Sequence, residues 1–212
     1  RRGNSGQQRR ARSADRGCEG QFQIEKLVEL GDEASRDAGV SGTGVIKVIP
    51  SVLQGRVVYE RRMRWELFAD PEDARRGNPR CLYEIGSVSR NVLCEEYPQH
   101  REAILRADPV QLASDGGTET SDHVKVYEAW ARPIGSDIPG RHVLCVDGAL
   151  LLSEPWEWHT FPFAWIWWRK RSEGIWGRGI VEMIEPLQLE IDRVLVAIQD
   201  GHKQYGKTFV GI

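Results

Sequence analysis

The stretch that decides the fold runs from residue 123 to residue 152 and reads HVKVYEAWARPIGSDIPGRHVLCVDGALLL. In its first part Val124, Val126, Glu128 and Trp130 alternate with Lys125, Tyr127 and Ala129. This period of two is that of a β-strand, whose successive side chains point to opposite faces of a sheet. Further on, Asp147-Gly148 separates two apolar runs, which is typical of a hairpin with a type I′ turn. The stretch therefore predicts three antiparallel strands joined as a meander.

The chain before this meander predicts a helix followed by a strand pair. Leu27, Leu30, Ala34 and Ala38 recur at spacings of three and four, which indicates one face of a helix over about 21–38. The glycine-rich run 39–44 follows, and it resembles a phosphate-binding loop. Because it follows a helix and precedes a strand, the reverse of the order in such loops, we interpret it as a structural turn. Residues 45–49 and 57–63 then predict an antiparallel pair.

Asp70 begins the next predicted helix. Its side chain suits the N-cap, Pro71 suits the first helical position, and Glu72 and Asp73 lie at the positive end of the helix dipole. Beyond it we expect a strand over about 80–85 and a helix over about 89–97 that Pro98 interrupts. A second helical piece to about 107 and an exposed loop over 108–122 complete this part.

Composition limits the classes of protein that fit. Of 212 residues, 40% are hydrophobic and 28% are charged, as in soluble globular proteins. The net charge is −2, yet residues 1–20 carry six arginines against two acids. We expect this segment to be a disordered basic tail. The four cysteines match no metal-knuckle spacing.

Residues 155–176 contain six of the eight tryptophans. Trp and Phe are enriched in cores and at interfaces, so we interpret the segment as core plus subunit interface. The alternative is a stacking platform for single-stranded nucleic acid or for sugar.

A long amphipathic helix is predicted over about 178–199. Its apolar residues follow a 4-3-4-3-4 rhythm like the seam of a coiled coil: Ile180, Ile184, Leu187, Ile191, Val194 or Leu195, and Ile198. Pro186 either kinks this helix or marks the start of its main part. Gly201 is expected to end the seam. Its other faces hold more acids than bases.

Candidate chemistry along the chain is sparse. Glu157 and His159 would share a face of a strand, where acid–base chemistry is conceivable, and the Asp70 cluster could bind a divalent metal. Helix capping accounts for the Asp70 cluster without a metal. We therefore predict no catalytic, metal-binding or cofactor-binding residue and no enzymatic activity.

Five segments, taken in order, resemble tailed-bacteriophage portal proteins, the head-to-tail connectors. They are GTGVIKV from residue 42; WELFADPEDA from residue 65 with GNPR from residue 77; RNVL from residue 90 with Tyr97-Pro98 and Ile104; VYEAW from residue 126 with GRHV from residue 140; and FPF from residue 161 with WGRG from residue 176, QLEIDR from residue 188 and Ile198-Gln199. The resemblance covers about residues 25–210. Two features depart from the family pattern, namely Pro186 within the last helix and the basic start.

The resemblance implies an α+β fold in which residues 21–176 form a wing-like region with an antiparallel meander and short helices. Residues 177–212 would begin a stem-like helix, and the regions that resemble the clip and crown are absent. Portal subunits form a ring, commonly of twelve copies, at one capsid vertex of the virion, after assembly in the host cytoplasm. Double-stranded DNA passes through the ring during genome packaging and ejection.

The same resemblance implies partners and site residues. The partners are further copies of the chain, the terminase, the capsid and tail adaptor proteins, with no membrane and no cofactor. The channel or stem candidates are Glu182, Glu185, Glu190, Asp192 and Arg193. The subunit-interface candidates are Trp165, Trp167, Trp168, Trp176, Ile184, Leu187, Ile191 and Leu195.

Two alternatives belong to other classes of protein. One is a nucleic-acid-binding module that uses the Arg-rich start and the tryptophan cluster. The other is a metal-dependent hydrolase that uses Glu157, His159 and the Asp70 cluster.

Overall fold

The computed structural model describes residues 5–51, 55–114, 117–135 and 137–208. The helices are α1 Ser5–Ile24, α2 Leu27–Ser41, α3 Pro71–Ala74, α4 Arg90–Glu96, α5 Arg101–Arg106 and α6 Ile180–Thr208, with 3-10 turns at Arg64–Glu66 and Pro98–His100. The strands are β1 Thr43–Ser51, β2 Arg56–Arg62, β3 Leu67–Phe68, β4 Cys81–Ser89, β5 Pro109–Ser114, β6 Gly117–Ala131, β7 Gly140–Val146, β8 Ala149–Trp156, β9 Phe163–Trp167, β10 Arg169–Lys170 and β11 Gly177–Arg178. The predicted α+β class with a long C-terminal helix is confirmed.

The larger sheet contains the predicted meander. Its antiparallel order is β3-β4-β6-β7-β8, and β5 pairs with β6. Along β6, Val124, Val126 and Trp130 are buried, as the period of two predicted. In the β7–β8 turn Gly148 has a φ of 78° but Asp147 has no positive φ, so the predicted type I′ turn is wrong. A register shift between Leu144 and Cys145 accompanies this turn.

A smaller sheet has the order β2-β1-β9. The predicted antiparallel pair of β1 and β2 is confirmed, with Val45 opposite Arg62. The other edge of β1 pairs with β9, where Thr43 lies opposite Trp167. The tryptophan-rich segment therefore completes this sheet.

Two apolar clusters form the core. One lies between α4, α5 and the larger sheet and includes the buried Leu93, Ile104, Val124 and Val146. The other lies between the two sheets. It consists of Val45, Leu67, Ala74, Leu82, Trp130, Phe163 and Ile175.

Backbone segments cross at very short range where α2 leads into β1. Gly42, with a φ of 92°, is the C-cap of α2. A Cβ atom on Gly44 would lie 1.8 Å from the Ala34 oxygen, and one on Gly177 would lie 2.0 Å from the Gly42 oxygen. The Thr43 hydroxyl accepts a 2.7 Å hydrogen bond from the Gly177 amide. These contacts explain the glycine-rich run as a structural turn, as expected.

Three local predictions need correction. Residues 5–20 belong to α1 and do not form a disordered tail. The prediction of disorder depended on the lack of an apolar periodicity, but Gln, Arg and Ala favour a helix without one. The end of α1 contacts β2 through a ring contact between Phe22 and Tyr59. The expected loop over 108–122 is β5 and the start of β6, since backbone pairing does not need apolar side chains. Helix α6 continues past Gly201.

Candidate functional site

Helix α6 extends away from the rest of the subunit. Its 29 residues span about 44 Å. Every residue from 183 to 200 is exposed, although many of them are apolar. The four predicted interface residues of the seam keep about half or more of their surface: Ile184 50%, Leu187 65%, Ile191 46% and Leu195 52%. The seam is therefore free of contacts that would bury it within its own subunit.

Contacts between α6 and the rest of the described chain lie near the start of the helix. Gly39 of α2 approaches Ile180, and a Cβ atom on Gly179 would lie 2.3 Å from the Val40 oxygen. Helix α6 begins at Ile180 and includes Pro186, so the alternative in which the main helix starts at this proline is wrong.

A second apolar line lies on the far side of α6. At about 100° per residue, Leu189 and Val196 point some 140–180° away from Leu187 and Ile191. Leu189 is 51% exposed and Val196 is 57% exposed. The helix thus presents two separate apolar lines to solvent.

The predicted channel acids do not form one narrow face. Around the helix axis, Glu182, Glu185, Glu190 and Asp192 spread over roughly 160°. Glu185 and Glu190 are both exposed, and Glu190 pairs with Arg193 at 3.2 Å. Gln188 donates a hydrogen bond to Asp192.

Glu182 is engaged by two arginines. Its carboxylate accepts hydrogen bonds from Arg171 at 2.5 Å and Arg178 at 3.1 Å. Desolvation acts to raise the pKa of Glu182, but these two hydrogen bonds lower it overall. Of the four predicted acids, Glu182 is therefore the least available to a channel.

Most of the predicted interface tryptophans pack within the subunit. Trp165 stacks on Trp167 with ring centroids 6.5 Å apart and meets Trp176 edge to face at 5.9 Å. The Trp167 indole donates a 2.8 Å hydrogen bond to the Ile175 oxygen. Trp168, which is 54% exposed, is the one of these four that is largely open to solvent.

A buried ion network, which the sequence analysis missed, joins the two sheets. Glu84 on β4 lies directly opposite Glu128 on β6. Like charges in such a position repel, and Lys47 from β1 lies between them. Its ammonium group donates to Glu84 at 2.7 Å and also to Glu128. Arg62 donates to the other oxygen of Glu84 at 2.5 Å.

His142 extends the network to the last strand of the meander. Its ring nitrogens lie 2.8 Å from Glu128 and 2.8 Å from Glu154. Its ring stacks on Trp130 at 5.3 Å, and the Lys47 ammonium lies 5.0 Å from the same indole.

Three members of the network have shifted pKa values. Burial acts to lower the pKa of Arg62, but Glu84 and Glu60 raise it overall. Burial acts to lower the pKa of His142, but the hydrogen bonds with Glu128 and Glu154 raise it overall. Burial acts to raise the pKa of Glu128, but His142 and Lys47 lower it overall. Each charged group is matched by a partner inside the network, so the arrangement stabilises the contact between the sheets.

The sequence indicates the acidic member of this network but not its cationic partner. Glu128 occupies a position that the period of two assigns to the buried face, among Val124, Val126 and Trp130. A carboxylate on such a face requires a cation. The cation, Lys47, is 81 residues away, so no local pattern identifies it.

The residues of the alternative chemistries are not brought together. Glu157 and His159 lie in the exposed segment between β8 and β9, not on a strand, and no hydrogen bond between their side chains occurs in the structure as described. Asp70 caps α3 by accepting from the amides of Glu72 and Asp73, as predicted. Within the described ranges, no three His, Cys, Asp or Glu side chains are arranged to hold a metal ion.

No protein-family model matches this sequence, and comparison with curated proteins finds no match. Among the helices that the structure describes, none is long and apolar enough to cross a membrane. The function must therefore be argued from the residues and their geometry.

Proposed function

We propose that the chain is a structural subunit of a tailed-phage portal ring, which conducts double-stranded DNA during packaging and ejection and connects head to tail. The observation that carries this proposal is the long helix α6, whose apolar seam is exposed along its length. The proposal assigns the chain no catalytic step.

An exposed apolar seam of this length favours a partner. Helices in proteins gain most of their stability from packing of an apolar face, and in α6 every residue from 183 to 200 is exposed. Large contiguous apolar patches on soluble proteins mark interaction sites. Burial of the surface that Leu187 and Ile191 still expose would contribute about 2–3 kcal/mol per contact.

The two apolar lines of α6 favour a ring over a dimer. In a closed ring each copy offers two different patches, one to each neighbour. The seam with Leu187 and Ile191 would meet the opposite line, with Leu189 and Val196, of the next copy. Trp168, which is exposed beside the start of α6, is a further candidate for this contact.

The remaining surface of α6 suits passage of DNA. Lysines and arginines that bind phosphates add affinity through counterion release, so a channel wall with more acids than bases holds DNA weakly. Glu185 and Asp192 lie within about 20–60° of Leu189 and Val196 around the helix axis, so they would form that wall at the edge of the contact with the next copy, whereas Glu182 is engaged by arginines. The terminase, the capsid and tail adaptor proteins would bind outside this channel, at the portal vertex of the virion.

Two double variants test the ring. We expect the purified chain to form rings with a central hole in negative-stain images and a ring mass by light scattering. Leu187→Gln/Ile191→Gln and Leu189→Gln/Val196→Gln should each abolish rings, because each removes one side of the same contact. Leu105→Gln, which changes a similarly exposed leucine on α5, should leave rings intact.

Mixing the two double variants separates a ring from a dimer. In a ring contact, the intact seam of one variant still fits the intact opposite line of the other, so the mixture should yield dimers. If only the seam variant fails to associate, the other variant forms homodimers alone, and the mixture contains those homodimers together with monomers of the seam variant, then the contact joins seam to seam and the ring proposal is wrong.

A further inference from the structure

A strongly basic pocket lies beside the start of α6. It has a volume of about 630 Å³, and its walls come from the β10–β11 hairpin. Four of its six lining residues are cationic. They are Arg169, Lys170, Arg171 and Arg178, and the other two are Ser172 and Glu173.

The charges in this pocket are only partly compensated. The Glu182 carboxylate is shared by Arg171 and Arg178. Glu173 pairs with Arg75 at 3.7 Å. Arg169 forms no ion pair with any residue that the structure describes, so the pocket keeps an excess of positive charge.

Two of the arginines that line the pocket already engage a carboxylate of the same chain. Two guanidinium groups converge on one carboxylate, an arrangement that also suits a phosphate because planar guanidinium donors match both groups. The positive end of the α6 dipole begins two residues after Arg178 and adds to the attraction. Lys170 is positioned by the ring of Trp167, 4.7 Å from its ammonium group.

We infer that this basic pocket binds the phosphate backbone of nucleic acid. Consecutive cations on the hairpin match the repeated charges of a phosphodiester chain better than a single carboxylate does. The inference goes beyond the proposed function, which assigns no DNA contact to the hairpin, and it does not depend on ring formation. A pocket that contacts two or three phosphates would bind weakly at physiological salt, which is compatible with DNA that moves.

The test measures binding of a fluorescent 20-base-pair duplex and the matching single strand by anisotropy over a series of salt concentrations. Arg169→Gln/Lys170→Gln should weaken binding at least fivefold at low salt and reduce the slope of log affinity against log salt by about two. The matched control is Arg101→Gln/Arg106→Gln, which removes two exposed arginines of α5. It should reduce both quantities much less.

A second variant acts in the opposite direction. Glu182→Gln removes the carboxylate that occupies Arg171 and Arg178, so it should tighten DNA binding severalfold. Equal losses in the hairpin variant and in the α5 control would overturn the inference, because the attraction would then be general charge. The inference would also be overturned if the hairpin variant kept its DNA affinity but lost a salt-sensitive association between copies of the chain. The pocket would then bind a carboxylate of a neighbouring copy.

Discussion

Lys47→Met is the perturbation that most directly tests the ion network between the sheets. Methionine keeps the length of the side chain but removes its charge. Glu84 is then left 4% exposed and Glu128 14% exposed, facing each other on neighbouring strands. Loss of one partner from a buried ion pair costs about 3–5 kcal/mol, because it leaves an uncompensated charge.

The local geometry places the expected loss at the lower end of that range. Arg62 still contacts Glu84, and His142 still contacts Glu128. We therefore expect a loss of about 3 kcal/mol in the free energy of unfolding. With a urea dependence of about 2.5 kcal/mol per molar, the midpoint would fall by roughly 1.2 M.

Urea denaturation followed by circular dichroism measures this loss at a fixed protein concentration. The control Lys125→Met removes an exposed lysine from β6 and should change stability by less than about 0.5 kcal/mol. Adding Glu128→Gln to Lys47→Met should recover part of the loss, since it removes one of the two opposed charges. A loss below about 1 kcal/mol, or one equal to that of the control, would refute the argument that Lys47 compensates both carboxylates.

Two further predictions concern pH and close packing. The folded-state pKa of His142 is raised and that of Glu128 is lowered. Their joint contribution to stability should therefore be fully present between about pH 4.5 and 6.5. It should decline above this range as His142 loses its proton, and below it as Glu128 gains one. In urea melts the wild type should lose the His142 part of this contribution as the pH rises above about 6.5, and His142→Gln should remove that dependence while His202→Gln on the exposed part of α6 keeps it. Gly44→Ala should destabilise the fold by about 3 kcal/mol or more, because its Cβ atom would overlap the backbone of α2. Gly86→Ala, with no atom within 4 Å of its Cβ, should cost little or stabilise β4 in the same urea melts.

Sequence patterns predicted those parts of the fold that local physics decides. The period of two around Val126 gave the meander strands, and Asp70 with Pro71 gave the start of α3. Helix α1 was missed because its residues favour a helix without forming an apolar face. The approach of Gly177 to Gly42 depends on contacts across 135 positions of the chain, which no local pattern records.

In the candidate site, too, local patterns were predicted and contacts between distant residues were missed. The seam of α6 was visible because it repeats within one helix; Leu187 on this seam is exposed, and its role at an interface stays a prediction. The roles of the tryptophans were harder to separate, since Trp165 and Trp168 are three residues apart in one segment. Pairing of β9 with β1 makes the first half-buried and leaves the second exposed, and that pairing depends on residues more than 100 positions away.

The contacts at the start of α6 and the exposure of the rest of the helix together bear on how copies of the chain would assemble. The glycine contacts between Gly179 and Val40, together with the arginines on Glu182, fix the direction in which the helix leaves the subunit. Residues 183–200 are exposed, so the rest of the described chain contributes little packing that would stabilise this part of the helix. Under the proposed function, neighbouring copies supply that packing, so the helix and the ring stabilise each other. A fixed direction at the start then sets the angle between adjacent copies, and this angle determines how many copies close the ring.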